Sequence, residues 1–179
     1  VGCVWVRVEL SVSMWMDENS VSYGAILRDI TERRRNEERL FLLAHMDPLT
    51  GLANRTLLTS NLEQAIKNEP AVCVLLVDLD GFKDVNDSLG HSRGDEILIN
   101  VAKKIQSSVR AGDLVARMGG DEFAVLLLGV EDHKLAVLTA ERIINEISLA
   151  MMVEEHQINI SASIGMVIYP AHGLSLIHI

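Results

Sequence analysis

Two cysteines are all this chain has, Cys3 and Cys73, each inside its own apolar, strand-like run. That scarcity argues against a disulfide framework or a thiolate metal centre, and both read as small buried hydrophobes of a reducing compartment. Basic charge is also scarce: 16 Lys and Arg stand against 25 Asp and Glu, for a formal net charge of −9. Nonspecific binding to nucleic acid needs a Lys/Arg footprint, so nucleic acid is not an expected partner. A nucleotide stays admissible, because metal ions neutralise phosphates locally even on an acidic protein. No apolar run approaches the ~20 residues of a membrane helix; the longest, Val72 to Val77, stops at Asp78. The start lacks a basic n-region and a cleavage site. The expectation is a cytoplasmic segment without membrane contact of its own, compatible with a parent anchored upstream. Val1 in place of an initiator Met suggests a piece of something longer.

What is present is apolar. Hydrophobic residues make up 49% of the chain and charged ones 23%, which places it among packed globular proteins, far from disorder. The 179 residues hold one domain, or one and a fragment.

Residues 1–30 alternate as strands do, with Val4, Val6, Val8 and Leu10 on one side, a turn at Asp17-Glu18-Asn19, and a second strand from Val21 to Leu27. Two strands do not make a stable domain, so they read as the end of a β-rich module. From Asp29, a helix-capping residue, the chain turns to mixed charge with Leu40 and Leu43 at helical spacing. This connector, 31–45, reads either as a solvated helix or as one strand of a parallel coiled coil.

Beyond it, helix and strand alternate. Asn54 to Lys67 and Gly94 to Val109 carry apolar stripes of helical period, and Val72 to Val77 is a continuous run suited to a strand covered on both faces. Leu114 to Ala116 and Phe123 to Leu128 bracket Gly119-Gly120 as a hairpin; a helix from His133 to about Ile147 and a strand from Ile158 to Ile168 follow. The fold class is α/β in the sense of an α+β sandwich, a mixed central sheet flanked by helices.

Two stretches carry chemistry. In V-D-L-D-G-F-K-D-V-N-D, Asp78 emerges where the apolar strand ends; in R-M-G-G-D-E-F, Asp121 and Glu122 follow a double glycine. If strand and hairpin are neighbours, these acids converge into the oxygen-rich site that hard cations prefer. The alternative is a solvated acidic surface. An EF-hand is excluded, because Gly81 falls fourth and Leu89 twelfth from Asp78.

Four ordered motifs then resemble one family: D-P-L-T-G-L-A-N-R from Asp47, D-L-D-G-F-K-D-V-N-D-S-L-G-H-S-R-G-D from Asp78, G-G-D-E-F from Gly119 and S-I-G-M-V-I-Y-P from Ser163. The chain is similar to the GGDEF-domain diguanylate cyclases, which condense two GTP into cyclic di-GMP with release of pyrophosphate. The resemblance implies a palm-like nucleotide-cyclase fold. It also implies Mg²⁺, a pair of ions with Mn²⁺ as a substitute, held by Asp78, Asp121, the Leu79 carbonyl and Glu122. Asp121 takes the place of the base for the ribose 3′-hydroxyl, and Lys83 that of the phosphate-steadying lysine. Asn86 and Asp95 fall on the guanine-binding positions, with His91 near the nucleotide. Arg110 and Asp113 match an inhibitory product site upstream of the turn, and their spacing to Gly119 favours that reading over a loop salt bridge between helix and hairpin.

Because one domain holds one GTP, the resemblance implies a homodimer through the connector helix and the GGDEF faces. Residues 1–30 resemble the end of a PAS sensor domain. The expected organisation is therefore a PAS-like end (1–30), a connector helix (31–45), a GGDEF domain without its final helix (46–173) and a non-native tail (174–179). Lacking that helix and its phosphate-reaching basic residue, the fragment is expected to turn over weakly. A catalytically inactive domain acting as a cyclic di-GMP receptor or signalling relay is the alternative.

Overall fold

The computed structural model describes residues 5–18, 20–130, 132–153 and 156–171. Cys3, the first residues of the expected opening strand, Asn19 and the expected tail at 174–179 lie outside them. Two compact units divide the chain, Val1–Ala44 and His45–Ile179.

In the first unit, β1 (Val8–Asp17) pairs antiparallel with β2 (Ser20–Asp29), Val8 opposite Asp29 and Asp17 opposite Ser20. Both faces of this ribbon are exposed, including Trp15, Met16, Tyr23 and Leu27. Helix α1 (Thr31–His45) follows, its start capped by the Asp29 carboxylate, which accepts from the Thr31 N–H at 2.8 Å. None of its residues is buried; Leu40, Phe41, Leu42 and Leu43 all face solvent.

The second unit runs α2 (Arg55–Asn68), β3 (Val72–Asp80), α3 (Phe82–Leu89), α4 (His91–Ser107), β4 (Leu114–Gly119), β5 (Glu122–Leu128), α5 (His133–Ser148), β6 (Met151–Val153), β7 (His156–Ile158) and β8 (Ser161–Tyr169). Its main sheet has the order β4-β5-β3-β8, with every neighbouring pair antiparallel. The expected mixed sheet is corrected here: among the described residues, parallel pairing is confined to an isolated bridge between Ala53 and Ala116. The reason lies in the connections. The helical crossover from β3 to β4 leaves those strands parallel, as such crossovers do, but β5 inserts between them. In the same way β3 separates β5 from β8.

Helices cover both faces. Cys73, Leu75, Val77 and Leu79 of β3 point into a cluster with Ile97, Val101 and Ile105 of α4 and Ile143 and Ile147 of α5. The alternate residues Val72 and Val74 pack with Ala124 and Leu126 of β5 against Leu58, Leu62 and Ala65 of α2. Both clusters are at or near zero exposure, the signature of close-packed apolar burial. Burial pushes the Cys73 thiol up to about 11, so this cysteine stays protonated, a core hydrophobe as expected.

The strand is sandwiched only in its first half. From Leu76 onward its residues alternate exposed and buried, so Leu76, Asp78 and Asp80 stand on the α2 side of the sheet without a helix over them. Among the described residues no helix is long and apolar enough to cross a membrane.

Candidate active site

Asp78 sits in the middle of a three-strand row. Directly across from it lie Glu122 at the first position of β5 and Ser163 of β8. Residues opposite one another in an antiparallel pair have Cβ atoms about 4.5–5.5 Å apart, so the two carboxylates are neighbours. Like charges so placed repel, and a cation between them removes the penalty. β3 extends to Asp80, three residues past the point where the apolar run ends, because hydrogen bonding to β8 continues through Asp80 opposite Ser161. Asp80 accepts from the Ser161 and Ser163 hydroxyls at 2.8 Å each, which occupies its carboxylate and leaves Asp78 as the β3 acid that faces Glu122.

Asp78, Glu122 and Ser163 line a cleft of about 660 Å³, together with Arg55, Leu76, Met118, Phe123 and Gly165. Arg55 is the first residue of α2, whose start is capped by the Asn54 side chain accepting from the Leu57 N–H at 3.1 Å. An anion in the cleft would therefore meet a guanidinium near a helix N-terminus. Sequence reasoning did not single out Arg55; its charge within the N-R of the Asp47 motif was the available signal.

The double glycine makes the turn that sets Glu122 opposite Asp78. Gly119 and Gly120 take φ of 141° and 55°, conformations that side-chain-bearing residues rarely adopt. The ladder slips between Arg117 and Gly119, so Met118 is a bulge that kinks β4 at the rim. Asp121 directly precedes Glu122 in this turn and is half-buried.

Arg117 holds the turn from behind. Its Nε and Nη2 donate to the Gly120 carbonyl at 3.0 and 2.7 Å, and its Nη1 donates to both Asp47 oxygens at 3.2 Å. Asp47 also accepts from the Thr50 N–H at 2.8 Å and the Thr50 hydroxyl at 2.7 Å. Burial acts to raise the Asp47 pKa, but the Thr50 hydrogen bonds and Arg117 outweigh it and hold the carboxyl below its ordinary value. The D-P-L-T-G loop thus clamps the acidic turn.

Helix α3 places the next set. Gly81, at φ 71°, breaks the strand and starts the helix, which carries Lys83 exposed on its first turn and Asn86 half-buried. Gly90, at φ 87°, separates it from α4, where His91 and Asp95 are exposed. The Asn86 carboxamide occupies the space that a Cβ at Gly94, the residue before Asp95, would take. Among the described residues no three of His, Cys, Asp and Glu cluster as a metal site. The fit rests instead on the Asp78 and Glu122 pair and on the oxygen donors beside it, the chemistry Mg²⁺ takes when it retains water and substrate oxygens.

Arg110 and Asp113 lie outside this cleft, bordering a separate hollow of about 280 Å³. Arg110 Nε donates to Asp113 at 3.2 Å, Arg110 Nη2 donates to the Leu128 carbonyl, and the buried Asp113 carboxylate accepts from the Leu128 N–H. The loop salt bridge between helix exit and hairpin is what these side chains form.

The domain is an antiparallel sheet layered with helices, with acids paired at an open rim beside a basic residue. The chain belongs to the GGDEF family: the family described as "Diguanylate cyclase, GGDEF domain" matches residues 44–178. It is 46% identical over 144 residues to the bifunctional diguanylate cyclase/cyclic di-GMP phosphodiesterase MucR of Pseudomonas aeruginosa, covering 78% of this chain and 21% of MucR. Among solved structures, the GGDEF domain of Pseudomonas aeruginosa TpbB matches with TM-score 0.68 and 38% identity, covering 71% of this chain and 77% of that one. The coiled coil and GGDEF domain of Caulobacter crescentus DgcB, in complex with c-di-GMP, matches with TM-score 0.74 and 28% identity over 82% and 80% of the two chains. The chain spans only 19 to 31% of the length of the first curated relatives it matches. Enzymes of this family depend in general on a divalent metal.

Proposed function

We propose that this chain is the catalytic domain of a diguanylate cyclase. The observation that carries the reading is the register that sets Asp78 opposite Glu122 in the lining of a cleft of about 660 Å³. Asp78, Glu122, Asp121 and the Leu79 carbonyl would hold Mg²⁺, and when bound it neutralises phosphate oxygens as charge develops on them. Asp121 takes the proton of a ribose 3′-hydroxyl. That oxygen forms a bond to the α-phosphorus of a second GTP, and the α–β bridging bond breaks to release pyrophosphate. A second such transfer closes the ring. Lys83 steadies the phosphates, Asp95 accepts from the guanine N1 and N2 hydrogens, Asn86 contacts the base beside it, and His91 lies at the same edge.

Because each domain contributes one GTP, the working form is a homodimer of facing domains, with α1 setting the pairing. Residues 1–30 supply the end of a PAS-like sensor. Arg110 and Asp113 release each other and Leu128 to grip cyclic di-GMP, an arginine and carboxylate suited to phosphate and guanine. Incubating the chain with GTP and Mg²⁺ and following cyclic di-GMP and pyrophosphate tests the reading. Product is expected, however slowly it forms, and none from Asp121→Ala. Dinucleotide binding without any turnover would assign the receptor role instead.

A further inference from the structure

Helix α4 carries a glycine where a helix gains nothing from one. Gly94 lies inside His91–Ser107, is buried and has no left-handed φ that would ask for glycine. Glycine in a helix interior costs stability relative to alanine. The reason for it is spatial: a Cβ at Gly94 would overlap Asn86 Oδ1, lie 2.9 Å from Asn86 Cγ and crowd Phe82 Cζ at 3.3 Å. The missing side chain makes a notch, and the carbonyl end of the Asn86 carboxamide fills it.

A second observation concerns the same atom. Asn86 Oδ1 is buried and has no hydrogen-bond partner, an arrangement that costs free energy and is rare in folded proteins. With the oxygen spent in the notch, the amide nitrogen on the other side of Cγ is the end left for a ligand, and it only donates. A donor suits the O6 acceptor of guanine, where adenine carries an amino group; a ring nitrogen accepts in both purines and would not separate them.

We propose that Gly94 is a specificity-determining position: its notch turns Asn86 so that the carboxamide offers N–H rather than C=O to the base. The proposal rests on the reading of Asn86 and Asp95 as guanine contacts. Asn86 Oδ1 is the end of a flexible side chain, so Gly94→Ala swings the carboxamide out of place without rebuilding the backbone.

Calorimetric titration of the chain with GTP and with ATP, each with Mg²⁺, tests it. Gly94→Ala is expected to lower GTP affinity about tenfold, the scale of one hydrogen bond, and to leave ATP affinity unchanged. Asn86→Ala should do the same, and the double variant should lose no more than either single one. A Gly94→Ala chain that folds only when Asn86 is also alanine would equally support the notch. Equal losses for GTP and ATP, or a further tenfold loss in the Asn86→Ala background, would overturn it. If Asn86→Ala alone leaves the preference for GTP intact, the guanine reading itself fails; if it abolishes the preference and Gly94→Ala does not, only the notch fails.

Discussion

Arg117 joins two segments seventy residues apart in sequence, the Asp47 loop and the acidic turn. The two side chains are only 12% and 16% exposed, so the pair works in a medium where charge-assisted hydrogen bonds are strong and a lone partner is costly. Asp47→Asn should destabilise the domain by about 1–3 kcal/mol near neutral pH. The pH dependence has a definite sign. Because the folded-state pKa of Asp47 is depressed, its contribution is present above the unfolded value of about 3.9 and is lost as pH falls through the folded value. Thermal melts from pH 6 downward should therefore show Asp47→Asn converging on the parent chain in acid. Melting curves that stay parallel would mean that the ion pair contributes nothing.

At the scale of elements, the turn between β4 and β5 is the part most sensitive to backbone chemistry. Gly120→Ala places a side chain at φ 55°, which costs about 1 kcal/mol and about 2–4 °C in Tm. Asn tolerates that conformation better, so Gly120→Asn should recover much of the loss. Equal melting temperatures for all three chains would show that the turn is unstrained. The long elements were legible in the sequence because burial on one side leaves a stripe: α2, α4 and α5 read directly, and β3 read as an uninterrupted apolar run where helices cover both its faces. Two kinds of feature were not legible. Helix α3 is eight residues long, and its apolar positions Phe82, Val85 and Leu89 are interleaved with acids and amides, too short a span for a helical period to stand out. The ribbon of β6 and β7 has strands of three residues, too short for a period to show. Sheet polarity was misread because local sequence reveals crossovers but not which strand inserts between them. In the site, Asp78 and Glu122 could be paired in advance by their places at strand ends. The clamp of Asp47 on Arg117 and the notch at Gly94 depend on tertiary contact and leave no local pattern.

At the scale of the molecule, the first unit exposes both faces of a hairpin and the apolar side chains of α1, which a stable two-stranded ribbon in water does not do alone. The homodimer proposed above would cover Leu40 and Leu43, whose spacing suits a helical seam. Sedimentation at tens of micromolar should give a dimer, and Leu40→Glu with Leu43→Glu a monomer whose cyclase rate per protein rises with concentration. An unchanged mass for the double variant would remove α1 from the interface.

All of the proposed chemistry depends on Asp78 and the acids after Gly120 sharing one divalent ion. Titration of the chain with Mn²⁺, read by electron paramagnetic resonance of the free ion, tests this most directly, since it requires neither turnover nor a second domain. The account predicts binding that weakens at least tenfold in Asp78→Asn and again in Glu122→Gln, with both variants folded, because these side chains face the open cleft. Mn²⁺ affinity untouched by either substitution would contradict it.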